Sequence, residues 1–362
     1  MKICYLANVS DIHTKVWLSY FVKQGHEVHL ITFEKGEIEG VNVHHIKMLF
    51  TSRNKTFPLK LFYIRKIKKL IKEIKPHVVH AHYISNYGYF ASKCNFHPLI
   101  MTTWGSDVIS LKLEPWIFRY VKKRLSKSAL KKADVVTTDG IHIIPLLEKY
   151  GAKRIETIHF GVDVNKFKTK EDRHFSDSGI YDIVSTRKLY PIYDLETLVK
   201  AVPLVLREFP ETYFHIFGDG SEMQKLIDLT ISLGKEYCKH IKFEGRYEYD
   251  NLPEILNYSD LYVSTSLSDA GLASSTAEAM SCGLPVLVSD VADNKKWVKD
   301  YQVFPAKDSM KLAGKICRML RSPEIRKFYS EWNRNQMVEF NNYEVEMQRM
   351  DKLYCNYQKS SV

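Results

Sequence analysis

The 362-residue sequence contains no Cys-x-x-Cys pair, no Gly-x-Gly-x-x-Gly after its first apolar run, and no apolar run reaching the roughly 18 residues of a membrane span. Each absence removes a class of protein. Six cysteines stand alone at Cys4, Cys94, Cys238, Cys282, Cys317 and Cys355, which argues against a zinc site and for free thiols in a reducing compartment. Without the glycine fingerprint, a nicotinamide-dependent dehydrogenase is disfavoured. The opening Met1-Lys2-Ile3-Cys4-Tyr5-Leu6-Ala7 lacks the apolar region and cleavage site of a signal peptide, so a cytoplasmic location is expected. Acidic residues are also scarce in the first half: residues 1–172 carry a net charge of +14 and the remainder −3, together the +11 of the chain. Such asymmetry predicts an anionic partner for the first half: a membrane surface, nucleic acid or an acidic acceptor.

What is present is a repeated alternation of short apolar runs and longer amphipathic ones, the pattern of parallel sheets covered by helices. In the first half, strands are expected at 2–7, 27–33, 41–47, 78–81, 99–103, 135–138 and 155–159, and helices at 13–24, 59–74, 115–132 and 142–149. A polar stretch at 168–179 reads as a linker. The pattern then restarts, with strands at 181–185, 213–217, 241–243, 261–264, 285–289 and 303–305. Helices are expected at 194–208, from about 221, and at 251–258, 275–282 and 308–321, with a charged helical end from about 324. The fold class is therefore α/β, two Rossmann-like domains in tandem: residues 1–168, residues 181–323, and a segment 324–362 expected to cross back to the first domain. Ligands of such sheets bind at the carboxyl ends of the strands.

The densest concentration of chemistry is residues 264–290. A strand ends in a loop of small residues, Asp269 to Ser275, and a helix begins there. Small residues let backbone amides approach a phosphate, and a helix N-terminus favours its charge. Glu278, one turn into that helix, suits the paired hydroxyls of a ribose. The alternative is an ordinary helix cap with a surface carboxylate.

Glu278-Ala279-Met280-Ser281-Cys282-Gly283-Leu284-Pro285-Val286 resembles the signature of the family 4 glycosyltransferases, which have the GT-B fold and usually retain anomeric configuration. The resemblance continues in His80-Ala81-His82, in Thr103-Trp104-Gly105-Ser106-Asp107, in Phe160-Gly161-Val162-Asp163 with Phe167, and in Phe217-Gly218-Asp219-Gly220. It implies transfer of a sugar, as a hexosyltransferase, from a nucleotide-diphosphate sugar (a UDP-sugar being the favoured donor) to a glycan or lipid-linked acceptor in polysaccharide or glycoconjugate synthesis. It further implies that Glu278 holds the donor ribose. Amides of Gly271, Leu272, Ala273 and Ser274 would hold the diphosphate, with Gly218, Asp219, Gly220, Arg246 and Tyr247 flanking the base. No cofactor or divalent metal is implied; Arg187 and Lys188 would neutralise the leaving group.

Three positions depart from the family pattern. Ala270 stands where the first carboxylate belongs, with Asp269 one residue away as its replacement; Tyr193 falls at the phosphate-binding lysine; Trp104 replaces a frequent histidine. Asp269, Glu278, Arg187 and Lys188 are the expected catalytic group. Ser10, His13, His80, His82, Trp104 and Asp107, at strand ends or helix starts of the first half, are the expected acceptor or sugar contacts. Residues 60–75 place apolar side chains at 61, 64, 67, 71 and 74 and cations on the other face, and residues 119–132 add further cations. Two solvated helices, or a surface for an anionic leaflet on the cytoplasmic membrane face, both fit; no nucleic-acid reading motif accompanies the charge. A nucleotide-sugar-binding pseudoenzyme subunit and a nucleotide-sugar epimerase on the same fold are the competing functions.

Overall fold

A computed structural model describes residues 1–47, 57–105, 107–109, 115–171, 175 and 179–359. The chain forms two compact units: Met1–His159 with Glu346–Val362, and Phe160–Val345.

The first unit is a parallel sheet of β1 (Lys2–Leu6), β2 (Glu27–Thr32), β3 (Val41–His45), β4 (Val78–His82), β5 (Leu99–Thr103), β6 (Val135–Thr138) and β7 (Ile155–Thr157), in the order β3-β2-β1-β4-β5-β6-β7. Every residue of β4, β5 and β6 is buried; β5 and β6 read as continuous apolar or small-polar runs, as expected of strands covered on both faces, and β4 adds two buried histidines, His80 and His82. The helices are α1 (Ile12–Lys23), α2 (Phe57–Ile74), α3 (Tyr89–Ser92), α4 (Trp116–Leu130) and α5 (Ile144–Tyr150). Asp11 caps α1 by accepting from the His13 N–H, and Gly25, at φ 79°, supplies the left-handed residue that ends it. Right-handed crossovers put α1 on one face of the sheet and α2 to α5 on the other. Because each crossover helix runs back against its strands, the N-termini of α2 and α4 lie at the carboxyl rim of the sheet.

The second unit repeats the design with β8 (Ile180–Ser185), β9 (Glu211–Phe217), β10 (Ile241–Gly245), β11 (Leu261–Ser264), β12 (Val286–Ser289) and β13 (Val303–Phe304), all parallel, in the order β10-β9-β8-β11-β12-β13. Its helices are α6 (Leu195–Leu206), α7 (Met223–Leu233), α8 (Leu252–Tyr258), α9 (Ser274–Ser281), α10 (Asn294–Trp297), α11 (Ser309–Leu320) and α12 (Pro323–Phe340). Buried apolar residues cover both faces of the sheet. One cluster joins β8, β9, α6 and α11; the other joins β11, β12, α9 and the segment carrying Val162, Val164 and Phe167.

The two units divide elsewhere than at the expected boundaries 168 and 323. Residues 160–168 pack with the second unit, since Phe167 is fully buried there and its carbonyl accepts from Ser281 Oγ and Arg334. Helix α12 also belongs to this unit. Arg334 ties it to the Val164, Phe167 and Ser281 carbonyls, and Asn333 to the Leu284 carbonyl. The expected single helical end breaks at Asn341 and Asn342, and α13 (Tyr343–Lys359) follows, its residues from Glu346 onward packing with the first unit. Much of the expected linker, 172–174 and 176–178, lies outside the described residues. A π-helical turn at Ile84–Gly88, running into α3, was not expected from the sequence. On α2 the buried stripe is Tyr63, Ile67, Ile71 and Ile74, while Leu61, placed on that stripe by its spacing, is exposed.

Helix α13 is fastened by a buried polar chain. Tyr354 Oη meets Tyr5 Oη at 2.7 Å and His80 Nδ1 at 2.5 Å; His80 Nε2 meets Thr102 Oγ1 at 2.7 Å, which meets Thr137 Oγ1 at 2.6 Å. Tyr354→Phe leaves the Tyr5 hydroxyl and His80 Nδ1 short of a partner. The expected loss is about 1–3 kcal/mol in urea unfolding. Tyr357→Phe, which loses an exposed bond to Arg154, should cost far less.

Candidate active site

Each sheet has one point where the chain, after building outward on one side, crosses to the other. In the first unit it lies between β1 and β4, in the second between β8 and β11. Strand carboxyl ends at such switch points leave a crevice, and the chemistry-bearing side chains collect at both.

At the second switch point, β8 runs into Ser185-Thr186-Arg187-Lys188. Arg187 turns inward and is buried, whereas Lys188 is exposed. The Arg187 guanidinium donates from Nη2 to Asp269 Oδ1 at 2.5 Å and from Nη1 to Ser275 Oγ at 3.1 Å, and lies over the Tyr193 ring at 4.3 Å. Burial works against its charge, but the Asp269 carboxylate, together with the Tyr262 and Tyr193 hydroxyls, more than offsets it, and the guanidinium is held more firmly protonated than usual. Two of the three departures thus become legible locally. Asp269 holds the arginine, and Tyr193 supplies an aromatic face beneath it.

Gly218 and Gly220 have a local task. A Cβ on Gly218 would stand 2.8 Å from the Arg187 carbonyl oxygen, and one on Gly220 2.2 Å from that of Leu189. The Leu189 amide donates to the Asp219 carbonyl at 2.9 Å, and the Glu222 amide to that of Leu189. The turn from 218 to 220 therefore braces the Arg187–Leu189 backbone, a role the sequence reading did not assign. Arg246 pairs with the exposed Asp219 side chain, and Tyr247 packs edge-on against Phe217.

The loop after β11 leads into α9. Gly271, Leu272 and Ala273 are buried and Ser274 begins the helix. Its first-turn amides have no intrahelical acceptor and are available to an anion. Glu278 is buried in the next turn, with Tyr249 Oη donating to its Oε1 at 3.1 Å. Burial raises its pKa to about 7, against the opposing effects of the Tyr249 hydrogen bond and of Lys166 and Arg187. Tyr249 was not expected from the sequence; its ring lies under Lys166 Nζ at 4.1 Å and edge-on to Phe167.

At the first switch point the structure holds a pocket of about 320 Å³ lined by Asn8, Asp11, Glu34, Tyr83, Ser85, Asn86, Tyr87 and Asp107. Of the six expected acceptor residues only Asp107 lines it. Its carboxylate accepts from the Ile84 and Trp104 amides and from Thr103 Oγ1, and burial nevertheless raises its pKa. Tyr83 donates to Asp11 and Tyr87 to Glu34. Tyr83 has φ 63°, a rare strained conformation for a bulky residue, where β4 gives way to the π-helical turn. Position supplied the available signal for these residues, since all stand directly after β1, β2, β4 or β5.

The other expectations divide. His80 is corrected: it is fully buried and both ring nitrogens are engaged in the chain to Tyr354 and Thr137, so it is a core residue. His82 is also fully buried, within contact of Trp17 and Trp104, and its pKa is lowered to about 3 by burial and then by His13. Its Nδ1 is 3.5 Å from Thr14 Oγ1. Trp104 is largely covered, with His13, Trp17, His82 and Tyr83 around it, while Ser10 is exposed. No group of His, Cys, Asp and Glu among the described residues has the geometry to hold a metal ion.

Two parallel Rossmann-like sheets with this arrangement define the GT-B fold. Sucrose-phosphate synthase from Thermosynechococcus elongatus superposes with a TM-score of 0.83, 16% identity and coverage of 99% of this chain and 100% of that one. Anabaena HepE in complex with UDP gives 0.78, 16%, and 98% and 100%. At such identity the likeness is one of fold. The family model for glycosyl transferase 4-like proteins matches residues 2–140, and that for glycosyl transferases group 1 matches residues 166–336. An uncharacterized glycosyltransferase of Methanocaldococcus jannaschii is 24% identical over 280 residues, 74% of this chain and 71% of that protein. The chain belongs to the family 4-like glycosyltransferases of the GT-B fold.

The Glu278 environment sets a pH dependence. In the unfolded chain a glutamate releases its proton near 4.5; in the folded protein Glu278 holds it up to about 7. The folded state therefore binds more protons between these values, and the Glu278 contribution to stability falls as pH rises from about 4.5 to about 7. Glu278→Gln should flatten this part of the stability profile, measured by denaturant unfolding at stepped pH. An identical slope in the variant would contradict the assignment.

Proposed function

We propose that the protein transfers a sugar from a nucleotide-diphosphate sugar, in the first instance a UDP-sugar, to a hydroxyl of a glycan or lipid-linked saccharide, with retention of configuration. The observation that carries this reading is the convergence of Arg187, the α9 amides and Glu278 after β8 and β11. A nucleoside diphosphate carries the matching groups, two adjacent ribose hydroxyls for a buried carboxylate and a diphosphate for a guanidinium and a helix N-terminus. The UDP bound by HepE supports the choice of base. In the reaction the bond between sugar C1 and the diphosphate oxygen breaks and a bond from C1 to the acceptor oxygen forms. The acceptor proton is released and charge grows on the departing diphosphate. Arg187, held in place before the donor arrives, offsets that charge without reorganisation, and Lys188 adds a mobile cation.

The first-unit pocket is the proposed acceptor seat. Its walls present Asp11, Glu34 and Asp107 with tyrosine, serine and asparagine, a set that accepts hydrogen bonds from sugar hydroxyls. Polysaccharide or glycoconjugate synthesis is the setting that these two substrates describe.

Arg187→Ala should lower kcat with UDP-sugars roughly a hundredfold or more, the usual scale for losing one preorganised charge donor. Glu278→Gln should act mainly on donor KM. EDTA should leave turnover unchanged, because cations of the chain do the neutralising. Measured release of UDP from a panel of UDP-sugars checks all three. Turnover abolished by EDTA and restored by a divalent ion would contradict the metal-independent reading.

A further inference from the structure

We propose that the rim of the first unit formed by the N-terminal turns of α2 and α4 docks on an anionic lipid bilayer. The helices that cover a sheet ordinarily bury one apolar stripe. Helix α4 does so only in its second half, where Ser126, Ala129 and Leu130 are buried. In its first two turns large apolar side chains face solvent: Trp116 is 71% exposed, Ile117 52%, Phe118 44%, Tyr120 52% and Val121 43%. On α2, Leu61 and Phe62 are each 41% exposed. A patch of this kind on the surface marks an interaction site.

The charge around it selects the partner. Helix α4 carries Arg119, Lys122, Lys123, Arg124 and Lys127 and no acidic residue. Helix α2 adds Arg65, Lys66, Lys68, Lys69 and Lys72 with Glu73 as its single acid. Helix α3 contacts both α2 and α4, so the three form one continuous face. Aromatic and aliphatic tips among cations are the composition of a helix that lies in the headgroup region, apolar side chains in the acyl boundary and lysines on the lipid phosphates. A protein partner of opposite charge is the competing occupant, and failure of the chain to sediment with anionic vesicles at low salt would favour it. The position also fits: the N-termini of α2 and α4 lie on the carboxyl rim of the sheet, the rim that holds the Asp11, Glu34 and Asp107 pocket. Docking there would bring the pocket to an acceptor held in the bilayer.

The test is co-sedimentation of the full chain with phosphatidylcholine vesicles, with and without about one-third phosphatidylglycerol. Wild type should bind the anionic vesicles, bind the neutral ones weakly, and release at high salt. The variant Trp116→Ser/Ile117→Ser/Phe118→Ser changes only exposed side chains and should lower partitioning about tenfold or more. Lys122→Gln/Lys123→Gln/Arg124→Gln should do the same on anionic vesicles alone. Stabilisation by UDP, followed in all three proteins, should be unchanged, and it reports on the donor site separately from the docking surface. No sedimentation of wild type at low salt, equal binding to neutral vesicles, or binding indifferent to the apolar substitutions would overturn the proposal.

Discussion

The second unit is organised around one buried ion pair. Arg187 and Asp269 leave neighbouring strands, β8 and β11, and meet at 2.5 Å with both side chains almost wholly removed from solvent. Burying two charges is costly, and their attraction compensates only with good geometry and further hydrogen bonds. The surroundings supply these. Ser275 Oγ accepts from the guanidinium and from Tyr262 Oη, and the Tyr193 ring lies beneath. The close approach of Gly218 and Gly220 fixes the backbone from which Arg187 projects. An arginine held this way stands beside the amides of α9 before any ligand arrives.

The two units share a topology and differ in chemistry. After β8 and β11 the buried charges are arranged about a guanidinium and an unpaired helix N-terminus, which suits a polyanion. After β1 and β4 the pocket is lined by carboxylates and hydroxyls, which suits a polyol. The first unit is nonetheless the basic one, because its cations crowd the outer helices α2 and α4 while acidic side chains line the pocket.

Most of the architecture was legible in the sequence, because parallel strands buried on both faces leave apolar runs that stand out between amphipathic helices. The β8-to-Arg187 and β11-to-α9 junctions were legible for the same reason: strand ends and small-residue loops have local signatures. What escaped was set by contacts distant in sequence. Nothing near His80 reveals that Tyr354, 274 residues later, occupies its Nδ1. Nothing near residue 168 reveals that Arg334 draws residues 164–168 into the second unit. The Asp107 carboxylate accepts from the Ile84 amide at the start of the π-helical turn after β4, so a contact that holds this turn comes from the loop beyond the next strand. The exposed start of α4 escaped because helical spacing assigns an apolar face to a core whether or not a core is there.

The central claim is that Arg187 meets a diphosphate. Asp269→Asn tests it most directly. Breaking a buried pair leaves an uncompensated charge, at a cost of about 3–5 kcal/mol, and a diphosphate should take the place of the lost carboxylate. The measurement is the thermal stabilisation given by UDP and by uridine to wild type and to Asp269→Asn. The account predicts that UDP stabilises both proteins, stabilises the variant more, and that uridine does not reproduce the difference. UDP that leaves wild type unshifted, or an increment in the variant that uridine matches, would contradict it.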